Sequence, residues 1–481
     1  MSTTIPDWLA HRADSLPDAP ALTLPDGRRL TFRELDDGAR GLASALIAGG
    51  VEPGERVAVL ASNSLEMVES VHAVPRAGAI LVLLNGRLTA AELAWQLQRS
   101  GARLLLAHGP TLPLATAAAA EAGLPPPLAL PHAAGPRAAL RDAHRLDDTH
   151  SIIFTSGTTG RPKGAMLTFG NFWASASASA FNLGVSPEDR WLACMPLFHV
   201  GGLSIILRSA IAGTEVVVHA GFDEAAVNRA LHDVGITHVS VVPTMLQRLI
   251  DHDPRPAPPG LRVVLTGGGP LPLPILERAL DLGYPVLQTY GLTEAASQVA
   301  TLAPRDAVRR AGSAGKPLVS TRLRIDAPPG EPGEILVSGP TVSPGYWDDP
   351  EATARAIRGG WLHTGDIGRL DDDGFLFVMD RRDDLIVSGG ENVYPAEVES
   401  ALLALPGVVE AAVVGLPDER WGQIVAAAVV AGPAFDEAAA LAAIRQRLAG
   451  YKAPRRLQVV AELPKTVNGK VQRRIVREML A

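Results

Sequence analysis

Residues 152–164 read Ile152-Ile153-Phe154-Thr155-Ser156-Gly157-Thr158-Thr159-Gly160-Arg161-Pro162-Lys163-Gly164. An apolar run of β-branched and aromatic residues, the composition of a buried strand, breaks into ten residues holding four hydroxyls, three glycines and one lysine. Glycine frees backbone amides to point at an anion, and hydroxyls and an ammonium complete a phosphate cradle. The spacing is not G-x-x-x-x-G-K-[ST], so the nucleotide-triphosphatase reading does not transfer. The lysine carries its own signal. Of 44 basic residues only Lys163, Lys316, Lys452, Lys465 and Lys470 are lysine. In so arginine-rich a chain a retained lysine suggests a need for a compact ammonium.

Outward from this junction the chain alternates short apolar runs with helical patterns. Val57–Leu60, Ala79–Leu83 and Arg103–Leu106 precede it; residues 215–218, 238–242, 261–265 and 285–288 follow. Thr89 with Glu92 has the form of a capping box with Gly101 as the stop, and Asp223 is placed to cap a helix running to Val234. Such β/α alternation predicts a mostly parallel sheet. Residues 110–141 are rich in Ala and Pro and poor in periodicity, and are expected to be a surface excursion or linker. From about 312 to 380, Gly/Pro turns separate short β runs, which predicts a small β-rich subdomain. The cluster Asp380-Arg381-Arg382-Asp383-Asp384 then precedes a hundred residues patterned helix, strand, strand, helix, strand. The expected fold class is α/β: a large N-terminal domain over 1–380 that includes the β-rich part, a hinge at 381–384, and a small mobile α+β domain over 385–481.

The 481 residues suffice for about three domain-sized units at roughly 150 residues each. A net charge of −7 offers no basic stripe to displace phosphate counterions, which argues against a nucleic-acid partner. The single cysteine, Cys194, rules out a disulfide framework. Neither a signal peptide nor an 18-residue apolar run is evident, so no membrane span is expected and a cytoplasmic protein is the default.

Two more glycine- or hydroxyl-bearing loops follow strands in the same sense: Thr266-Gly267-Gly268-Gly269-Pro270 and Thr289-Tyr290-Gly291-Leu292-Thr293-Glu294. Ligands of open α/β sheets collect beyond the carboxyl ends of the strands, so three loops should face one crevice. Thr293 and Glu294 offer a hydroxyl and a hard carboxylate suited to magnesium beside phosphate.

Together with His363-Thr-Gly-Asp366, the 380–384 cluster and Pro464-Lys-Thr-Val-Asn-Gly-Lys470, these loops resemble, in order and over nearly the whole chain, the motifs of the adenylate-forming superfamily of acyl-CoA synthetases, peptide-synthetase adenylation domains and luciferases. Within it, residues 196–204, 311–318 and 388–399 most resemble the ligases that join o-succinylbenzoate to CoA in menaquinone biosynthesis. The resemblance implies an acid–thiol ligase using ATP, Mg²⁺ and CoA on a small-molecule carboxylic acid, in a protein that forms a homodimer. Aryl or medium-chain acids, or a carrier protein in place of CoA, are the alternatives.

The same resemblance implies site roles. Thr155, Ser156, Gly157, Thr158, Thr159 and Lys163 would hold phosphates, with Gly267, Gly268, Gly269 and Tyr290 beside the base. Thr293 would assist catalysis and nucleotide binding, and Glu294 would hold the metal. Asp366 would bind both ribose hydroxyls, supported by Arg381, and Asp383 would be the hinge. Lys470 would contact carboxylate and α-phosphate, and His199 would gate the acyl pocket lined by Ser297, Gln298 and Ser313. A second substrate carboxylate would find either Arg248 or a polar, water-bridged arrangement of Ser297, Gln298 and Ser313. Glu391-Asn392 departs from the arginine that many acyl-CoA synthetases carry there.

Overall fold

The computed structural model describes residues 3–481 except 133–134, 136–137, 156–161, 270, 382–385, 389–390, 419–420, 449 and 467–468, and describes backbone alone at 380, 381, 387, 391 and 392. Two large sheets form the N-terminal body. A six-stranded sheet has the order Lys163–Thr168, Thr149–Thr155, Ile80–Leu83, Arg56–Leu60, Ala102–His108, Leu128–Leu130. All its neighbours are parallel except the first two, which form an antiparallel hairpin pairing Lys163 with Thr155. The nine-stranded sheet runs Lys316–Pro317, Ser297–Thr301, Val286–Leu292, Val263–Thr266, His238–Val241, Arg190–Ala193, Glu215–Val218, Pro20–Thr23, Arg29–Thr31. Of its parallel middle strands, Glu215–Val218, His238–Val241 and Val263–Thr266 are buried along their whole length, as expected of strands covered on both faces.

Local chemistry sets the element ends. Thr89 and Glu92 exchange the two bonds of a capping box, and the helix Ala90–Ser100 stops at Gly101 in the left-handed region, φ 61°. Asp223 caps Glu224–Asp233 through Ala226 N. Residues 110–141 depart from the expected excursion: Leu112–Ala122 is a helix whose Ala115, Ala118 and Ala119 are buried, and Leu128–Leu130 completes the six-stranded sheet.

A buried polar cluster fastens the N-terminal segment. Arg76 Nη1 donates to Asp36 Oδ1 at 2.5 Å, and His144 Nε2 lies 3.2 Å from Asp7 Oδ2, with His72 and His150 buried beside them. Burial, the largest influence, pushes His72 down to about 4 and His150 down to about 3. The unfolded chain, with histidine near 6.5, therefore binds more protons below that value. Stability should be undiminished above pH 6.5 and fall as pH drops from 6.5 towards 4. A Tm that stays level from pH 6.5 to 4.5 would contradict this.

Beyond the large sheets, Arg322–Asp326, Gly333–Ser338, Trp361–Leu370, Ile357–Arg358 and Leu376–Arg381 form an antiparallel sheet. The small C-terminal domain folds on the hairpin of Val408–Asp418 with Gly422–Ala431, joined by Arg456–Val460 and covered by the helices Pro395–Leu403, Glu437–Arg447 and Arg473–Leu480. The whole is an α/β fold of a large N-terminal and a small C-terminal domain. No described helix is long and apolar enough to cross a membrane.

Candidate active site

The three glycine- and hydroxyl-bearing loops emerge at strand ends. Thr155 closes Thr149–Thr155 and Lys163 opens the return strand; Ser156, Gly157, Thr158 and Thr159 between them lie outside the described residues. Thr293 and Glu294 occupy the short 3₁₀ turn after Val286–Leu292. Thr155 Oγ1 lies 3.4 Å from both the Lys163 carbonyl and Glu294 Oε1. Tyr346, absent from the sequence reading, donates its hydroxyl to Glu294 Oε1 at 2.9 Å, and Lys163 Nζ sits 5.4 Å from the centre of its ring. Burial first, and the adjacent Glu294 second, push the Tyr346 phenol above the ordinary tyrosine range, so it remains a donor.

On the β-rich side, Tyr290 donates to Asp366 Oδ2 at 2.7 Å. The turn before Asp366 is fixed: Thr364 Oγ1 bonds the Ile335 carbonyl, Asp366 N donates to Thr364 Oγ1, and Gly365, at φ 72°, donates to Glu334 Oε1. Arg381 pairs with Asp366 through the backbone; its side chain and Asp383 lie outside the described residues. The loop at residues 266–269 requires glycine. A Cβ on Gly267 would meet Thr289 Cγ2 at 2.8 Å, and Gly268 has φ 81°.

The turn that carries Lys470 stands beside the N-terminal domain. In the turn before Lys470, Thr466 N donates to the Lys470 carbonyl and Lys470 N to Thr466 Oγ1. A Cβ on Gly469 would lie 4.0 Å from Thr244 Oγ1, on the N-terminal helix Pro243–His252.

Residues 9–347 match the AMP-binding enzyme family and residues 397–470 match the AMP-binding enzyme C-terminal domain. The chain belongs to the AMP-binding enzymes. It is 47% identical to the 2-succinylbenzoate–CoA ligase of Geobacillus kaustophilus over 99% of this chain and 98% of that one. Among solved structures, it resembles o-succinylbenzoate CoA synthetase from Bacillus subtilis in complex with the acyl-adenylate intermediate at TM-score 0.92 and 40% identity, over 99% and 98% of the two chains. The same enzyme with ATP and magnesium ion gives 0.92 and 39%, over 99% and 100%.

His199 ends the segment before the helix Val200–Ala212, its ring 4.5 Å from that of Phe198. Ser297 follows Ala296, and both are non-glycine residues at positive φ, 94° and 51°. Gly291 permits this bulge, since a Cβ there would sit 1.6 Å from the Ser297 carbonyl. Strain of this kind persists only where its surroundings enforce it.

Two expected pocket residues are corrected. Ser313 is 0% exposed, and its hydroxyl donates to the Leu376 carbonyl and accepts from Gly315 N, so it braces the β-rich junction rather than lining a pocket. Arg248 ion-pairs with Glu224 at the surface and lies over Phe222, so it is a solvated helix residue. Gln298 is buried, with its amide oxygen 3.3 Å from Arg208 Nη2 and its nitrogen on Thr301 Oγ1.

Arg208, like Tyr346, is absent from the sequence analysis. It lies on Val200–Ala212 and is 7% exposed, with its guanidinium 4.8 Å from the centre of the Trp191 ring. Among the described residues no carboxylate pairs with it, and its Nε, also buried, has no hydrogen-bond partner. Burial pushes it down to about 10, which leaves it charged at neutral pH. The signal was present as a lone charge in Val-Gly-Gly-Leu-Ser-Ile-Ile-Leu-Arg-Ser-Ala-Ile-Ala.

For a metal, the donor chemistry fits magnesium. No cluster of three or more His, Cys, Asp or Glu occurs among the described residues. Magnesium beside a nucleotide is usually held by one or two carboxylates plus the phosphates, and Glu294 next to the Thr155 hydroxyl could supply that protein share.

Proposed function

We propose that this chain is an ATP-dependent ligase that joins o-succinylbenzoate to CoA through an acyl-adenylate. Arg208 carries the choice of acid. A diacid has one carboxylate to activate and a second that must be satisfied in the pocket, where an unpaired buried charge costs several kcal/mol. A guanidinium buried without an acid, one bond from Gln298 and on the helix that begins after His199, meets that need. A fatty or simple aryl acid brings no charge to match it. The relatives named above support the same acid.

In the first half-reaction a carboxylate oxygen bonds to the α-phosphorus of ATP and the α–β phosphoanhydride breaks, releasing pyrophosphate. In the second the CoA thiol loses its proton, its sulfur bonds the acyl carbon, and AMP leaves. The first step brings two anions together, so cations must lie between them. We assign that task to Lys470 at carboxylate and α-phosphate, with Lys163 and the 155–159 loop on the departing phosphates. Magnesium, held by Glu294, supplies further neutralisation of the phosphates. Thr293 holds nucleotide beside Glu294, Asp366 and Arg381 hold the ribose, and the Gly267–Gly269 loop and Tyr290 line the base. His199 and Ser297 border the acyl pocket. We divide the chain at a hinge, 381–384 with Asp383, between 1–380 and 385–481, so that Lys470 withdraws before CoA attacks. We place the reaction in the cytoplasm and expect a homodimer.

The test is pyrophosphate release with ATP and Mg²⁺ over o-succinylbenzoate, benzoate, a medium-chain fatty acid and an amino acid, with and without CoA. CoA-dependent AMP formation with o-succinylbenzoate alone is expected. Preference for another acid would overturn the substrate, and release indifferent to CoA would favour a carrier protein as acceptor. Asp366→Ala should raise the KM for ATP about 10- to 100-fold, the loss of hydrogen bonds to a charged acceptor. An unchanged ATP affinity would remove Asp366 from the ribose site.

A further inference from the structure

Tyr346 lies 52 residues beyond Glu294 in sequence yet touches two parts of the phosphate crevice at once. Its position is built by the backbone. Residues 343–347 lie along the strand Lys163–Thr168 as an added edge: Met166 N donates to the Gly345 carbonyl, Trp347 N donates to the Gly164 carbonyl, and Ala165 and Tyr346 form an antiparallel bridge. Ser343 N donates to the Glu294 carbonyl and Ser343 Oγ to that of Met166, while Thr353 Oγ1 accepts from Tyr346 N. The metal carboxylate and the phosphate strand are thus tied to one segment, and Tyr346 is the side chain that projects from it onto both.

We propose that Tyr346 is the positioning residue of the metal–pyrophosphate site, its hydroxyl orienting Glu294 and its ring seating Lys163. The inference rests on the ligase reading for Glu294 as the metal's carboxylate and Lys163 as a phosphate contact, and not for the identity of the acid. Both recorded hydrogen bonds to Glu294, from Tyr346 and Thr155, fall on Oε1, so among the described residues Oε2 is left for a metal. A carboxylate on a short turn can rotate, and a donor on one oxygen selects the rotamer that presents the other. The ring does separate work. Among the described residues Lys163 makes no ion pair, and its ammonium rests over an aromatic face that holds it near the strand end without neutralising it.

Phenylalanine at 346 deletes the hydroxyl and keeps the ring. For Tyr346→Phe we expect Mn²⁺ affinity in the enzyme–ATP complex, read by electron paramagnetic resonance, to weaken about 10- to 100-fold, as for loss of a residue that orients a metal ligand. The Mg²⁺ concentration needed for half-maximal pyrophosphate release should rise by the same factor, with kcat at saturating Mg²⁺ within about threefold. ATP binding in EDTA and CoA transfer from presynthesised acyl-adenylate should be unchanged. In a Glu294→Gln background the same substitution should cost nothing further. Unchanged Mn²⁺ affinity overturns the proposal, as does equal loss in EDTA and in CoA transfer, which would mark a merely structural residue. The Mn²⁺ measurement needs ATP but no acid, so it remains decisive even where the acid proves to be another.

Discussion

Lys470→Ala is expected to lower carboxylate-dependent pyrophosphate release by about 10²- to 10³-fold, the range for removing one preorganised group from developing charge. CoA transfer from presynthesised acyl-adenylate should stay within about threefold. The asymmetry follows from where the residue sits. Its turn is closed by Thr466, whose backbone N donates to the Lys470 carbonyl and whose hydroxyl accepts from Lys470 N, bonds an alanine retains. The substitution therefore removes the ammonium and leaves the turn. An added Cβ on Gly469 would lie 4.0 Å from Thr244 Oγ1, on the N-terminal helix Pro243–His252, so the turn stands beside the N-terminal domain. After adenylation the carboxylate charge is gone and the second half has no use for that cation. Separate single-turnover measurements of the two halves check this. Equal loss in both would place Lys470 elsewhere in the mechanism, and a lowered Tm would indicate that the turn itself had failed.

Most of this candidate site is legible in the sequence because its parts are local. Thr155 and Lys163 are joined by a hairpin, Thr293 and Glu294 share one turn, and the Thr364-Gly365-Asp366 turn is organised by its own hydroxyl. What could not be read depends on composition without contrast or on contacts between residues distant in sequence. The helix Leu112–Ala122 is hidden in composition, because its buried face is alanine and offers no contrast with its exposed alanines. Ser313 is polar in sequence and structural in space, since the Leu376 carbonyl that accepts from its hydroxyl comes from a strand 63 residues further on. Tyr346 has no local motif to announce it and gains meaning only when residues 343–347 dock on the phosphate strand. Arg208 differs. A single charge in the middle of an apolar helix is visible in sequence, but only burial without an acidic neighbour separates a ligand-binding arginine from one half of an internal ion pair.

Arg208→Met should lower kcat/KM for o-succinylbenzoate by about 10²- to 10³-fold while leaving a mono-acid of the same skeleton, lacking the second carboxylate, within about threefold. The magnitude is about 3–4 kcal/mol, the lower part of the cost of stranding one buried charge. Methionine is the informative replacement: it approximates the volume of the arginine stem, and exchanging a buried charge for an apolar chain is often neutral or stabilising. The fold should tolerate it here because the guanidinium gives up one bond to Gln298 and no acid among the described residues. Gln298 retains Thr301 through its nitrogen, so the strand Ser297–Thr301 keeps its anchor. The two substrates then separate the alternatives. Loss confined to the diacid means that Arg208 meets the second carboxylate. Equal loss for both acids means that the guanidinium holds the pocket in shape, and no loss for either moves the second carboxylate to another partner. In the first case the wild-type preference for diacid over mono-acid should also disappear, because the same buried charge that welcomes the second carboxylate is what makes an uncharged ring a poor occupant.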